Sequence, residues 1–101
     1  MEHRLEQIKE MEAILDRTND LVEKTEELLE HWAKNLPEFK KLMSYYGSEQ
    51  WFEDHDAYAA GEIPQNFPCG VLGEDSVYNT FGEHRDLALK MIKIAVKALE
   101  D

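Results

Sequence analysis

The sequence predicts an all-α protein in which a long N-terminal helix packs antiparallel against a C-terminal helix, with two short helices and an irregular loop capping one end. Two observations predict this class. Apolar residues recur every three or four positions near both ends of the chain, and glycine and proline cluster between them. A chain of 101 residues is expected to form a single domain, residues 1–101, with one hydrophobic core.

The first element is predicted by a heptad spacing that begins near the N-terminus. Its positions are Ile8, Met11, Leu15, Thr18, Val22, Thr25, Leu29, Trp32, Leu36 and Phe39. Ile14, Leu21 and Leu28 widen this row into a stripe typical of a helix in a bundle. We expect the helix to run from about Glu2 to about Lys34, and Pro37 to end it or to start the next one.

Two short helices are expected to follow. The first covers Pro37 to Tyr46 and ends at Gly47; its predicted inner side holds Phe39, Leu42, Met43 and Tyr46. Ser48 is a predicted N-cap for the second, which runs from Glu49 to about Ala60 and ends at Gly61.

Residues 61–73 are predicted to be irregular but to lie against the helices, because this segment combines proline and glycine with apolar side chains. Asp75 is the expected cap of the last helix. The predicted inner face of that helix consists of Val77, Phe81, His84, Ala88, Met91, Ala95 and Ala98.

Composition excludes several classes of function. The formal net charge of −11 disfavours nucleic acid and anionic membranes, and it indicates a basic or neutral protein as a partner. Cys69 is the only cysteine, so neither an intramolecular disulfide nor a cysteine zinc cluster is expected. No apolar run of signal-peptide or membrane-span length occurs, and the expected location is the cytoplasm.

Charge is distributed unevenly along the chain. Residues 42–84 contain eight carboxylates and no Lys or Arg, and they hold eight of the ten aromatic residues. The segment is either a bundle cap with a solvated acidic exterior or a recognition face for a basic protein. The residues predicted to bind that partner are Tyr45, Tyr46, Trp51, Glu53, Asp54, Asp56, Glu74, Asp75 and Tyr78.

Residues suited to catalysis or to metal binding are present without a recognisable pattern. The cluster at residues 53–56 contains His55 among carboxylates but lacks the Glu-x-x-His sets of carboxylate-bridged metal sites. Cys69 has no basic neighbour in sequence that would activate its thiol. The sequence therefore predicts no catalytic residues, no metal and no cofactor.

Several segments together resemble an uncharacterised bacterial family, domain of unknown function 4298. They are Tyr45-Tyr46-Gly47-Ser48, Trp51-Phe52-Glu53-Asp54, Gly70-Val71-Leu72-Gly73-Glu74-Asp75, Val77-Tyr78-Asn79 and Arg85-Asp86-Leu87-Ala88, with the amphipathic N-terminal helix. A serine is usual in that family at the position of Gly73. The resemblance covers nearly the whole chain and implies a small cytoplasmic bacterial protein. It does not indicate an activity, a cofactor or catalytic residues.

The leading functional hypothesis is a non-enzymatic protein-binding module with an acidic, aromatic face, such as an immunity- or antitoxin-type inhibitor or an adaptor. Two alternatives stay open. One is a small metal-dependent or acid-base enzyme. The other is a structural helical homodimer, which would bury the rest of the apolar stripe if it is wider than one partner helix can cover.

Overall fold

A computed structural model describes residues 1–100 of the chain, apart from the side chain of Glu74. These residues form three α-helices. Helix α1 spans Glu2–Tyr45, α2 spans Glu49–Ala59 and α3 spans Glu74–Leu99; a 3-10 turn at Gly70–Leu72 precedes α3. No strand occurs in the described residues. The predicted all-α class, with long N-terminal and C-terminal helices and short elements between them, is confirmed.

Pro37 neither ends the first helix nor starts a second one. It lies inside α1, so the two predicted helices are one helix of 44 residues. The prediction of a separate helix from Pro37 to Tyr46 was wrong, because a missing amide hydrogen removes one helical hydrogen bond and leaves the neighbouring ones intact. The 3–4 spacing continues through Leu36, Phe39 and Leu42, which are half-buried, and this burial favours an uninterrupted helix.

Both ends of α2 follow the sequence prediction. The Ser48 hydroxyl accepts a hydrogen bond from the Trp51 amide at 3.2 Å and caps the N-terminus. After the helix, Gly61 has a φ of +77° and the Glu62 amide donates to the Ala57 carbonyl at 3.0 Å. This is the Schellman arrangement, in which a left-handed glycine satisfies the last carbonyls of a helix.

The start of α3 differs from the prediction. The helix begins at Glu74, and its N-cap is Gly73, which provides no side-chain hydrogen bond. Asp75 lies inside the first turn and is not the cap. The Gly73 backbone is extended, with φ of −73° and ψ of 138°, and its amide donates to the Gly70 carbonyl at 3.1 Å. The 3-10 turn therefore ends at Gly73, and α3 starts directly after it.

The chain divides into two compact units, Met1–Phe39 and Lys40–Asp101. The first unit is a single helix in which only Trp32, Leu36 and Phe39 are half-buried.

The second unit contains the buried hydrophobic residues of the described chain, which are Trp51, Leu72 and Val77. Of the predicted inner positions, Met43 is 48% exposed, and Ala95 and Ala98 are exposed as well. Burial on α3 therefore extends from Val77 to Met91, which is half-buried, and not to the end of the helix.

Candidate functional site

The indole of Trp51 organises the second unit. Its ring lies edge-to-face with Tyr46, at a centroid distance of 5.1 Å, and Tyr46 contacts Phe81 in the same way at 5.6 Å. The indole Nε1 donates a hydrogen bond to the Val71 carbonyl at 3.0 Å. This bond ties the segment before α3 to α2, as expected for an irregular segment that lies against the helices.

The carboxylate of Asp54 is used within the protein. Its Oδ2 accepts a hydrogen bond from the Tyr45 hydroxyl at 2.6 Å, and its Oδ1 accepts one from Gln50 Nε2 at 2.8 Å. The hydrogen bond to Asp54, together with desolvation and the nearby negative charge, raises the pKa of Tyr45 from 10.0 to about 12. Tyr45 therefore keeps its proton at neutral pH and acts as a hydrogen-bond donor.

A cavity of about 170 Å³ lies next to the Tyr45–Asp54 pair. Its lining is mainly apolar and comprises Tyr45, Asp54, Ile63, Phe67, Pro68, Cys69, Val71 and Leu72. The volume is below the ~300 Å³ at which pockets for ordinary small-molecule ligands begin. The half-buried Cys69 thiol lies in this lining, as expected for a loop cysteine that packs against its surroundings.

The residues predicted to bind a partner separate into two groups. Tyr45, Tyr46, Trp51 and Asp54 are half-buried or buried and have the internal contacts described above. Glu53, Asp56, Asp75 and Tyr78 are exposed, and the side chain of Glu74 lies outside the described structure. We call this exposed group, together with Phe52, the acidic aromatic surface.

Phe52 belongs to that surface although the sequence prediction did not include it. It is 55% exposed and lies one helical turn before Asp56 on α2. Tyr58 and Phe67, at 51% and 61% exposed, are also accessible aromatics of the second unit. The helical spacing of Phe52 and Asp56 was a usable signal, but the spacing alone does not tell which side of α2 faces the core.

His55 is positioned for packing. Its imidazole stacks on the Trp51 indole at a centroid distance of 5.2 Å, and its Nδ1 lies 3.9 Å from Asp56 Oδ1. Within the described part of the chain, no group of three or more His, Cys, Asp or Glu side chains is arranged to hold a metal ion.

Comparison with known proteins identifies a family. The family model described as a domain of unknown function, number 4298, matches residues 8–94. Neither a curated protein nor a solved structure matches the chain. None of the helices, over the residues that are described, is long and apolar enough to cross a membrane.

Proposed function

The chain belongs to the family of domain of unknown function 4298, and from this premise we propose that it is a non-enzymatic protein-binding module for a basic protein partner. In this proposal it acts as an immunity- or antitoxin-type inhibitor or as an adaptor. The observation that carries the proposal is the exposure of aromatic side chains beside carboxylates, in a segment of 43 residues without a single Lys or Arg.

Binding a basic protein would bury exposed aromatic rings and bring positive charges close to the carboxylates of this surface. Tyr78 exposes 69% of its surface, and burying an aromatic ring on binding removes a large apolar area from water with little loss of side-chain entropy. Glu53, Asp56 and Asp75 supply a field that attracts cations, speeds encounter and disfavours acidic partners.

The internal contacts support the same conclusion. The Tyr45–Asp54 hydrogen bond and the packing around Trp51 hold α2 in one position, so the helix that carries the exposed side chains need not rearrange when a partner binds. A surface that is already ordered loses less entropy on association. The residues that face inward would thus support the binding surface without touching the partner.

The first test is affinity purification of the tagged protein from its native cells at low salt, followed by repurification of the main basic protein for binding measurements. We expect a near-stoichiometric complex that weakens as salt is raised, since screening reduces attraction between exposed charges. Removing the three carboxylates Glu53, Asp56 and Asp75 by alanine substitution should lower the affinity at least tenfold and flatten its salt dependence.

The matched control removes three carboxylates from the first unit, with Glu2, Glu6 and Glu10 changed to alanine. This variant has the same net charge as the surface variant, and its affinity should stay within about twofold of the wild type. Equal losses in both variants would show that only total charge matters, and no loss in the surface variant would exclude the acidic aromatic surface as the binding site.

A further inference from the structure

The N-terminal helix presents an apolar stripe that the described structure leaves exposed. Between residues 5 and 29, nine large apolar side chains expose between 39% and 69% of their surface: Leu5, Ile8, Met11, Ile14, Leu15, Leu21, Val22, Leu28 and Leu29. We call this set the α1 stripe. Large exposed apolar patches on a protein mark an interaction surface.

A second apolar row lies on the last part of α3. Leu89, Ile92, Val96 and Leu99 follow one another at spacings of three, four and three and are 43–85% exposed. We call this set the α3 stripe. The α3 stripe is therefore as open to solvent as the α1 stripe.

The two stripes have opposite electrostatic surroundings. Residues 5–29 contain eight carboxylates against three Lys or Arg, whereas residues 87–99 contain three lysines and no carboxylate. Lys93 and Lys97 each directly follow a residue of the α3 stripe, and Glu12 and Glu23 each follow a residue of the α1 stripe. The charges that border the α1 stripe therefore attract those that border the α3 stripe. Two α1 stripes would repel each other, and so would two α3 stripes.

From this complementarity we infer that the protein forms a symmetric homodimer in which the α1 stripe of each copy packs against the α3 stripe of the other. A two-fold axis generates this contact twice, because the same two surfaces meet in both directions. The two stripes together expose thirteen large apolar side chains per copy, and a standard stable interface buries about 800 Å² per partner. The inference concerns residues outside the acidic aromatic surface and does not depend on the proposed function.

The first measurement is the mass in solution by sedimentation equilibrium, at protein concentrations from 1 to 200 µM. We expect a concentration-dependent shift from the chain mass of 11.8 kDa to twice that value. Replacing Leu21 and Leu28 with glutamate should weaken the dimer at least 100-fold, while circular dichroism shows whether the helices persist. A wild-type protein that is monomeric throughout this range overturns the inference.

Charge reversal identifies which surfaces meet. One variant carries Lys90→Glu, Lys93→Glu and Lys97→Glu, and each copy of it then presents acidic borders on both stripes. It should dimerise at least tenfold more weakly than the wild type. A control with the same change in net charge, made by reversing Lys34, Lys40 and Lys41, should dimerise within about threefold of the wild type.

The decisive experiment mixes this α3 variant with a second one that carries Glu12→Lys, Glu23→Lys and Glu26→Lys. Each variant alone has like charges at the proposed contact, but in a mixed dimer both contacts pair acid with base. Native mass spectrometry of the mixture should therefore show the heterodimer in excess of either homodimer. A dimer of wild type without this preference would exclude the α1–α3 contact between copies, and so would two variants that stay monomeric together.

Discussion

The second unit of the protein has a core of buried apolar side chains, whereas the described first unit has no fully buried residue. In the second unit, Leu72 is 6% exposed and lies in a core with Trp51 and Val77, whereas Leu21 in the first unit is 63% exposed. Leu72 belongs to the 3-10 turn before α3, and Leu21 belongs to the apolar stripe of α1. Apolar spacing in the sequence predicts a helix in each unit. It does not indicate whether the apolar side of that helix is covered within the chain.

The largest expected effect comes from a matched truncation in the two units. Leu72→Ala should lower the free energy of unfolding by about 2–5 kcal/mol, because it removes buried methyl groups and leaves a cavity. Leu21→Ala should change it by less than about 0.5 kcal/mol in dilute, monomeric protein, since an exposed side chain loses little burial. Urea denaturation at low micromolar concentration measures both, and similar losses would contradict the difference between the units.

A smaller effect is expected at the hydrogen bond that fixes α2. Tyr45→Phe should cost about 1 kcal/mol at neutral pH, the net value of a partly exposed hydrogen bond. Because the pKa of Tyr45 is raised to about 12 in the folded protein, this stabilisation is fully present below about pH 10 and disappears as the pH rises through about 12.

The check is to measure the stability of the wild type and Tyr45→Phe side by side from pH 7 to pH 12. Their difference should be constant up to about pH 10 and then approach zero. All other residues are the same in both proteins, so their contributions cancel in this comparison. A difference that stays constant to pH 12 would show that the Tyr45–Asp54 bond does not perturb the titration.

The smallest effect is expected at the N-cap of α3. Gly73→Ser should stabilise the protein by a few tenths of a kcal/mol, since the hydroxyl can accept a hydrogen bond from a first-turn amide that the glycine leaves without a side-chain partner. Gly73→Ala is the control, because it has the same Cβ, which lies 3.3 Å from the Gly70 carbonyl oxygen. The serine variant should be more stable than the alanine variant by about 1 kcal/mol in thermal unfolding, and equal stabilities would exclude a capping role.

Local signals accounted for much of the fold. Ser48, Gly47 and Gly61 each act within a few residues of their own position, and all three have the predicted roles. Pro37 and Asp75 were misjudged because their effect depends on neighbouring structure. The cost of a proline inside a helix is offset when flanking residues favour the helix. Asp75 is not the cap because α3 already begins at Glu74, directly after the 3-10 turn and the extended Gly73.

The candidate site was less predictable than the fold. The sequence identified the acid-only aromatic segment, but it grouped Asp54 with Glu53 and Asp56 as equivalent surface carboxylates. The structure distinguishes them because Asp54 is held by Tyr45 and Gln50, and these bonds depend on the end of α1 meeting α2.

The sequence by itself determined the helical class, the ends of α2 and the uneven charge, because these follow from local spacing, turn residues and composition. Only the tertiary structure decided which aromatics pack and which stay exposed, and that the α1 and α3 stripes remain open. The physical reason is that burial depends on which surfaces meet. Residues distant in the chain set those meetings, as the bond from Trp51 to Val71 illustrates across twenty positions.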